Sequence, residues 1–118
     1  MLAPALFIVL AGCGNQQSDL KVLIGATTVV APGAQPIEDS VVVIAGGRIR
    51  SAGMRKDVPI PQDSERLDLA GKWIVPAPGA RIALNETADL LVLERAPEDT
   101  QPTRPADVTR RMLHGQWQ

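Results

Sequence analysis

Few side chains in this sequence have the chemistry that catalysis or metal binding requires. The 118 residues contain one cysteine, Cys13, and one histidine, His114. A single thiol forms neither an intrachain disulfide nor a thiolate metal cluster, and most catalytic zinc sites use more than one imidazole. No serine–histidine–aspartate order, cysteine–histidine pair or glycine-rich phosphate loop occurs at a credible spacing. The sequence therefore predicts no catalytic residue, no metal site and no cofactor.

The remaining polar residues are interpreted as structural. His114 precedes Gly115 at a predicted turn, where we expect it to be solvated; a lone imidazole at that place is otherwise a weak metal ligand or a pH sensor. Asp89 stands at the start of a predicted strand, where aspartate commonly accepts backbone N–H bonds. Exposed ion pairs contribute little to stability. The candidate pairs are Asp68 with Lys72, and Arg110 and Arg111 with Asp107.

Composition excludes further classes of function. The sequence has 12 Lys and Arg against 13 Asp and Glu, for a formal net charge of −1, and its only aromatic residues are Phe7, Trp73 and Trp117. There is no basic surplus to neutralise phosphates and no series of aromatic rings for bases to stack on. We therefore expect no nucleic-acid partner. The length is that of one domain.

The elements that must position these residues are short strands. From Leu20 onward, apolar residues come in short runs bounded by Gly, Pro and Asp, without helical periodicity, which predicts an all-β fold. Gly46-Gly47 lies between two such runs and predicts a two-residue hairpin, because glycine readily takes the positive φ of that turn. Ala70-Gly71 predicts a second hairpin. The predicted extended segments are 20–30, 41–45, 48–52, 66–69, 72–75 and 88–94.

Three other segments are predicted as connections or remain open. Residues 57–62 (DVPIPQ) carry two prolines at alternate positions, which predicts an extended edge or a loop. Residues 95–105 contain three prolines and no apolar pattern, which is typical of a surface loop. Residues 106–118 fit either a short helix capped by Asp107 or a terminal hairpin that turns at Gly115. In total we expect about seven or eight short strands, a number that suits a small sandwich or barrel.

The N-terminal segment has the pattern of a secretion signal. Residues 2–11 (LAPALFIVLA) are apolar but shorter than the ~20 residues that span a bilayer as a helix, and small residues follow them. The string LAGC at 10–13 resembles the lipobox of bacterial lipoproteins, which implies a signal peptide at 1–12, lipidation of Cys13 and a polar tether at 13–19. The alternative is a buried element with Cys13 as a core thiol. The resemblance implies a cell-envelope lipoprotein, anchored to the membrane and facing the periplasm or the exterior.

Four passages of the predicted domain, 20–118, are similar to the amidohydrolase superfamily of metal-dependent hydrolases, which includes imidazolonepropionase-like members. They are 23–53, 67–77 (LDLAGKWIVPA), 87–94 (TADLLVLE) and 108–118 (VTRRMLHGQWQ), in the order the family has them. In that family these segments form a small composite β-sandwich, built from both ends of the chain and packed against a (β/α)₈ barrel. The barrel carries the metal ligands and the catalytic aspartate.

The sequence departs from the family after Pro76. The passage APGAR follows, and TADLLVLE begins almost at once, whereas a (β/α)₈ barrel needs about 250 residues. The resemblance therefore implies a sandwich without a TIM barrel, and no functional residue of the family has a counterpart in this chain.

Without the barrel, we expect a chain that is not an enzyme on its own: a membrane-tethered structural or binding module. The alternatives are a subunit that completes an amidohydrolase, a hydrolase of C–N bonds other than peptide bonds, with a separate barrel chain, or a truncated remnant of such an enzyme. Loss of the barrel should also expose apolar residues, with Ile82, Leu84 and Trp117 as candidates. Such a face predicts self-association or capture by another protein.

Overall fold

The computed structural model describes residues 20–97 and 108–118. The predicted signal peptide, the tether with Cys13, most of the predicted 95–105 loop and Asp107 lie outside these ranges. The described residues contain no helix long and apolar enough to cross a membrane. They form nine strands and no helix. The strands are β1 (Leu20–Ile24), β2 (Thr27–Thr28), β3 (Ser40–Ala45), β4 (Arg48–Met54), β5 (Glu65–Asp68), β6 (Trp73–Pro76), β7 (Leu90–Leu93), β8 (Val108–Leu113) and β9 (Gln116–Trp117).

The nine strands make two mixed sheets. One sheet has four strands in the order β4-β3-β1-β5, and the other has five in the order β2-β6-β7-β8-β9. The pairs β1–β5 and β2–β6 are parallel, and every other pair is antiparallel. The all-β sandwich is confirmed. One strand more than the predicted maximum is present because the run 20–30 breaks at Gly25 and continues in the other sheet.

The main core lies between the sheets, where alternate residues of each strand point inward. The four-stranded sheet contributes Leu23, Val42, Ile44 and Ile49, and the five-stranded sheet contributes Ile74, Leu90, Val92 and Met112, all at most 1% exposed. The intervening residues Val41 and Val43 point to the opposite face, where Val58 and Ile60 pack on them. Strand β3 is therefore buried on both faces, which explains its unbroken apolar run.

Segment 57–62 contains no strand, in agreement with the prediction from its prolines. It still has a packing role, since its apolar residues Val58 and Ile60 cover the outer face of the four-stranded sheet.

The predicted hairpin around Ala70-Gly71 is wrong. Strand β5 pairs in parallel with β1, whereas β6 pairs with β2 and β7 in the other sheet. The turn moves the chain from one sheet to the other, beside the similar crossing at Gly25. Backbone bonds join the two crossings: Leu69 N–H donates to Ile24 C=O at 2.7 Å, and Thr27 N–H donates to Lys72 C=O at 3.0 Å. Turn residues specify that the chain changes direction, but they do not specify which strand the next segment pairs with.

The C-terminal segment forms a hairpin in its described part, 108–118. Strand β8 pairs with both β7 and β9, and the turn falls at His114-Gly115. Met112 of β8 is fully buried in the main core. Of the two alternatives for this segment, the terminal hairpin is therefore the correct one.

Candidate functional site

Three chain segments meet at one end of the sandwich, which we call the junction end. They are the Gly46-Gly47 turn, the connection 77–89 between β6 and β7, and the His114-Gly115 turn. Ala88 links the two turns, because its N–H donates to Gly47 C=O at 2.9 Å and its C=O accepts the Gly115 N–H at 3.1 Å. The junction end thus fastens the two sheets together through backbone hydrogen bonds.

The connection also covers the beginning of β4, an edge strand. Ile49 N–H donates to Glu86 C=O at 2.8 Å, and Asn85 N–H donates to Ile49 C=O at 2.9 Å. Arg48 Nη1 adds a bond of 2.7 Å to Asn85 C=O. Unpaired N–H and C=O groups on an edge strand favour pairing with other chains, and here the connection occupies them.

Asp89 holds the third segment in place. Its Oδ1 accepts the backbone N–H of His114 at 2.8 Å, and its Oδ2 accepts the Thr87 hydroxyl at 2.8 Å. These bonds, chiefly that from the His114 backbone, hold the pKa of the Asp89 carboxyl below its ordinary value, because they favour the charged form. The prediction that Asp89 accepts backbone N–H bonds is confirmed. The His114 side chain is exposed at the turn, with a φ of 51° at this residue.

We expect Asp89→Asn to lower the free energy of unfolding at neutral pH by about 1 kcal/mol, since it weakens one charge-assisted bond of a partly exposed group. An unfolded aspartate titrates near pH 3.9. The stabilisation by Asp89 is complete above that pH and is lost as the pH falls through the lower folded-state pKa. Denaturant titration between pH 2.5 and 7 should show this acid-side loss in the parent and a smaller loss in the variant.

Asp57→Asn is the matched control, because it removes an exposed carboxylate beside Met54, at the opposite end of β4 from the junction end. It should leave the acid-side loss of stability unchanged. If both variants gave the parent's pH dependence, the Asp89 carboxylate would have no part in holding the turn.

An open groove of about 490 Å³ lies at the junction end. Its charged groups are engaged within the chain: Arg81 Nε pairs with Glu86 Oε1 at 3.0 Å, and Asp89 is bonded as described. Among the described residues, no three His, Cys, Asp or Glu side chains are grouped so that they could hold a metal ion. The groove is lined by Ala31, Pro32, Gly79, Ala80, Arg81, Glu86, Thr87 and Asp89.

The predicted ion pairs differ from the observed ones. Lys72 Nζ pairs with Glu94 Oε1 at 2.7 Å rather than with Asp68. The Asp68 carboxylate instead accepts the Ala70 N–H at 3.0 Å, within its own turn. The pairing of β6 with β7 explains the difference, because it places Lys72 and Glu94, which flank these antiparallel strands, opposite each other. The proposed partner of Arg110 and Arg111, Asp107, lies outside the described residues.

Sequence patterns gave no indication of two further contacts. The Arg110 guanidinium lies over the Trp117 ring at 4.1 Å from its centroid. Arg55 Nη2 pairs with Asp39 Oδ1 at 2.7 Å on the surface, and this hydrogen bond lowers the pKa of Asp39. Exposed pairs of this kind contribute little to stability.

The predicted exposure of Ile82 is also wrong. Ile82 is only 4% exposed and belongs to the main core, and its N–H donates to Val30 C=O at 2.8 Å. Leu84 is 66% exposed, in agreement with the prediction, whereas Trp117 is half-buried beneath Arg110. Of the three candidates for an exposed apolar face, only Leu84 is fully available.

No family model and no curated protein matches this sequence. Solved structures similar to about half of the chain include enzymes of the amidohydrolase family. Molinate hydrolase shares 27% identity over 50% of this chain and 13% of its own, with a TM-score of 0.45. A Bifidobacterium longum protein assigned as a prolidase shares 27% identity over 49% and 15%, with a TM-score of 0.45. E. coli guanine deaminase shares 24% identity over 48% and 16%, with a TM-score of 0.43. The chain thus matches 13–16% of the length of these enzymes.

Proposed function

We propose that this chain is a non-catalytic β-sandwich module, related to the accessory domain of amidohydrolases and held at the membrane of the cell envelope through lipidated Cys13. The four similar passages support this relationship, and so does the make-up of the five-stranded sheet. That sheet combines β2 and β6, which precede the place where the family has its barrel, with β7, β8 and β9, which follow it. A composite domain built from both ends of a longer chain has this arrangement.

The observation that carries the proposal is the way the connection 77–89 closes the sandwich. Pro76 and Leu90 are direct partners in adjacent antiparallel strands, and Ala77 N–H donates to Asp89 C=O at 2.9 Å. A domain inserted at such a point leaves and re-enters the sandwich at neighbouring positions, which is where insertions are best tolerated. In this chain the connection turns back and places Ile82 in the main core. The residues that stand in place of the barrel thus complete the fold.

Two alternative hypotheses for the function of this chain are a truncated remnant and a subunit of a two-chain enzyme. A truncated remnant has no requirement for a connection that fills the core, and the burial of Ile82 therefore favours a self-contained module. A subunit that completes a hydrolase needs a separate barrel chain of about 250 residues. Cross-linking followed by purification from membranes would detect that partner, and its recovery in equal amounts would favour the two-chain enzyme.

We expect the purified chain to hold no stoichiometric zinc, nickel or iron and to hydrolyse no amide or lactam. The reason is that its single imidazole, His114, lies exposed at a turn. Elemental analysis by mass spectrometry and a substrate panel would check this. His114→Ala is the matched variant and should leave the metal content unchanged. About one tightly bound metal ion per chain, lost in that variant, would contradict the proposal.

We expect Cys13→Ser to move the protein from the membrane fraction to the soluble fraction and to abolish the lipid mass on the mature chain. An acyl chain contributes about 0.8 kcal/mol of membrane affinity per buried methylene, and serine provides no thiol for the lipid. Ser18→Ala, in the same predicted tether, should leave fractionation unchanged. Membrane association and gel mobility that are the same with and without Cys13 would disprove lipidation.

A further inference from the structure

Strand β1 begins at the junction end. Leu20, the first residue of β1, pairs with Ala45, the last residue of β3, directly before the Gly46-Gly47 turn. The seven residue steps from Cys13 to Leu20 span at most about 25 Å when fully extended. A lipid on Cys13 would therefore keep the junction end near the membrane surface.

Two of the three exposed large hydrophobic side chains among the described residues lie at this same end. Leu84 is 66% exposed and precedes Asn85, which is bonded to the start of β4. Leu113 is 36% exposed and directly precedes the His114-Gly115 turn. The third, Met54, is 46% exposed at the opposite end of β4, about 20 Å from Arg48 at the usual rise of a strand.

A cationic group accompanies Leu84. The Arg48 guanidinium donates to Asn85 C=O at 2.7 Å, and no carboxylate of the described residues lies within ion-pair distance of it. Arginine next to exposed leucine suits an interface in which the apolar side chain enters the lipid boundary and the guanidinium contacts lipid phosphates.

We infer that the junction end is the surface that the tethered protein applies to a phospholipid bilayer, with Leu84 and Leu113 at the headgroup level and Arg48 against the phosphates. This orientation rests on the proposed lipidation of Cys13. It places the far end of the sandwich, with Met54 and the Asp39–Arg55 pair, away from the membrane.

The full lipidated chain offers a direct test, because lipidation blocks its only native thiol. Leu84→Cys and the control Met54→Cys each add one reactive thiol, which can carry an environment-sensitive fluorophore. The labelled proteins are placed in vesicles of phosphatidylcholine and phosphatidylglycerol with a nitroxide on a fraction of the headgroups. We expect the nitroxide lipids to remove most of the emission from position 84 and to leave the emission from position 54 nearly unchanged.

Each other outcome overturns the orientation. Equal quenching at the two positions, or stronger quenching at position 54, would show a different surface facing the bilayer. If the emission of the label at position 84 is blue-shifted and unquenched, and remains so in detergent, a second copy or another protein covers this end. A mass spectrum without lipid and a second reactive thiol per chain would instead disprove the tether. That result is obtained before any vesicle is added, so the two failures are distinguishable.

Discussion

Ile82→Ala is expected to lower the free energy of unfolding by about 2–4 kcal/mol, the usual cost of deleting three buried carbons together with the cavity they leave. Ile82 is 4% exposed and packs in the main core with residues of both sheets. Most members of that core belong to strands fixed by backbone pairing, which limits how far the cavity can close. If the connection is an essential part of the fold, this single truncation removes a large fraction of the stability of a small domain.

Leu84→Ala is the matched control, since it lies two residues away in the same connection but is 66% exposed. Its effect on the free energy of unfolding should stay within about 0.5 kcal/mol. Urea denaturation of both variants in the unlipidated Cys13→Ser chain measures the difference. Similar small effects for the two would show that the connection is not part of the core and would remove the main support for a self-contained module.

Gly115→Ala is expected to cost about 2–5 kcal/mol, because it adds a steric clash to backbone strain. A Cβ at position 115 would lie 2.5 Å from the Gly47 Cα, and the φ of 78° is unfavourable for alanine. Residues 47 and 115 both lie in turns whose backbones are held by the hydrogen bonds of the junction end. Relief of the clash therefore requires the two turns to separate.

Gly46→Ala separates the strain from the clash. Gly46 has a similar positive φ of 59°, but a Cβ there would meet no atom within 4 Å. It should cost only about 1–2 kcal/mol, the ordinary penalty of the left-handed region. Thermal unfolding of the two variants gives the order directly. A Gly115→Ala protein as stable as the Gly46→Ala protein would mean that the two turns are not in tight contact.

Features set by neighbouring residues could be predicted from the sequence. The Gly46-Gly47 hairpin is confirmed, since β3 and β4 pair on either side of it and both glycines have positive φ. The all-β class is also confirmed. It could be predicted because strand-length apolar runs and turn residues are local signals. The prolines of 57–62 correctly excluded a central strand there, and the segment is a loop.

Features set by distant residues could not be predicted. The turn at Ala70-Gly71 was correctly located, but its two strands join different sheets because each finds a parallel partner some 44–46 residues earlier in the chain. Ile82 stands in a short polar and small-residue segment with no periodicity, so nothing local distinguished a core side chain from an exposed one. Its position depends on Val30, to which its N–H is bonded.

At the junction end, the contact of the Asp89 side chain depends partly on neighbouring residues and partly on distant ones. That Asp89 accepts a backbone N–H followed from its position before a strand. That the donor is His114, 25 residues further along, depends on how β7 and β8 pair. The meeting of Gly47 with Gly115 depends on both sheets at once and had no signal in either turn alone.

The position of β1 inside its sheet constrains the order in which the protein can fold as it emerges from the ribosome or a translocation pore. Strand β1 lies between β3 and β5, so it emerges before both of its neighbours and waits for β5 before both its edges are paired. The β3–β4 hairpin is local and can form early, whereas Ile82, β7 and β8 arrive late. Until then Leu23 and Val42 have no opposing layer. Folds dominated by such distant pairings assemble slowly, over milliseconds to seconds, and their exposed intermediates are prone to aggregation. We therefore expect the emerging chain to depend on a chaperone for longer than its small size suggests.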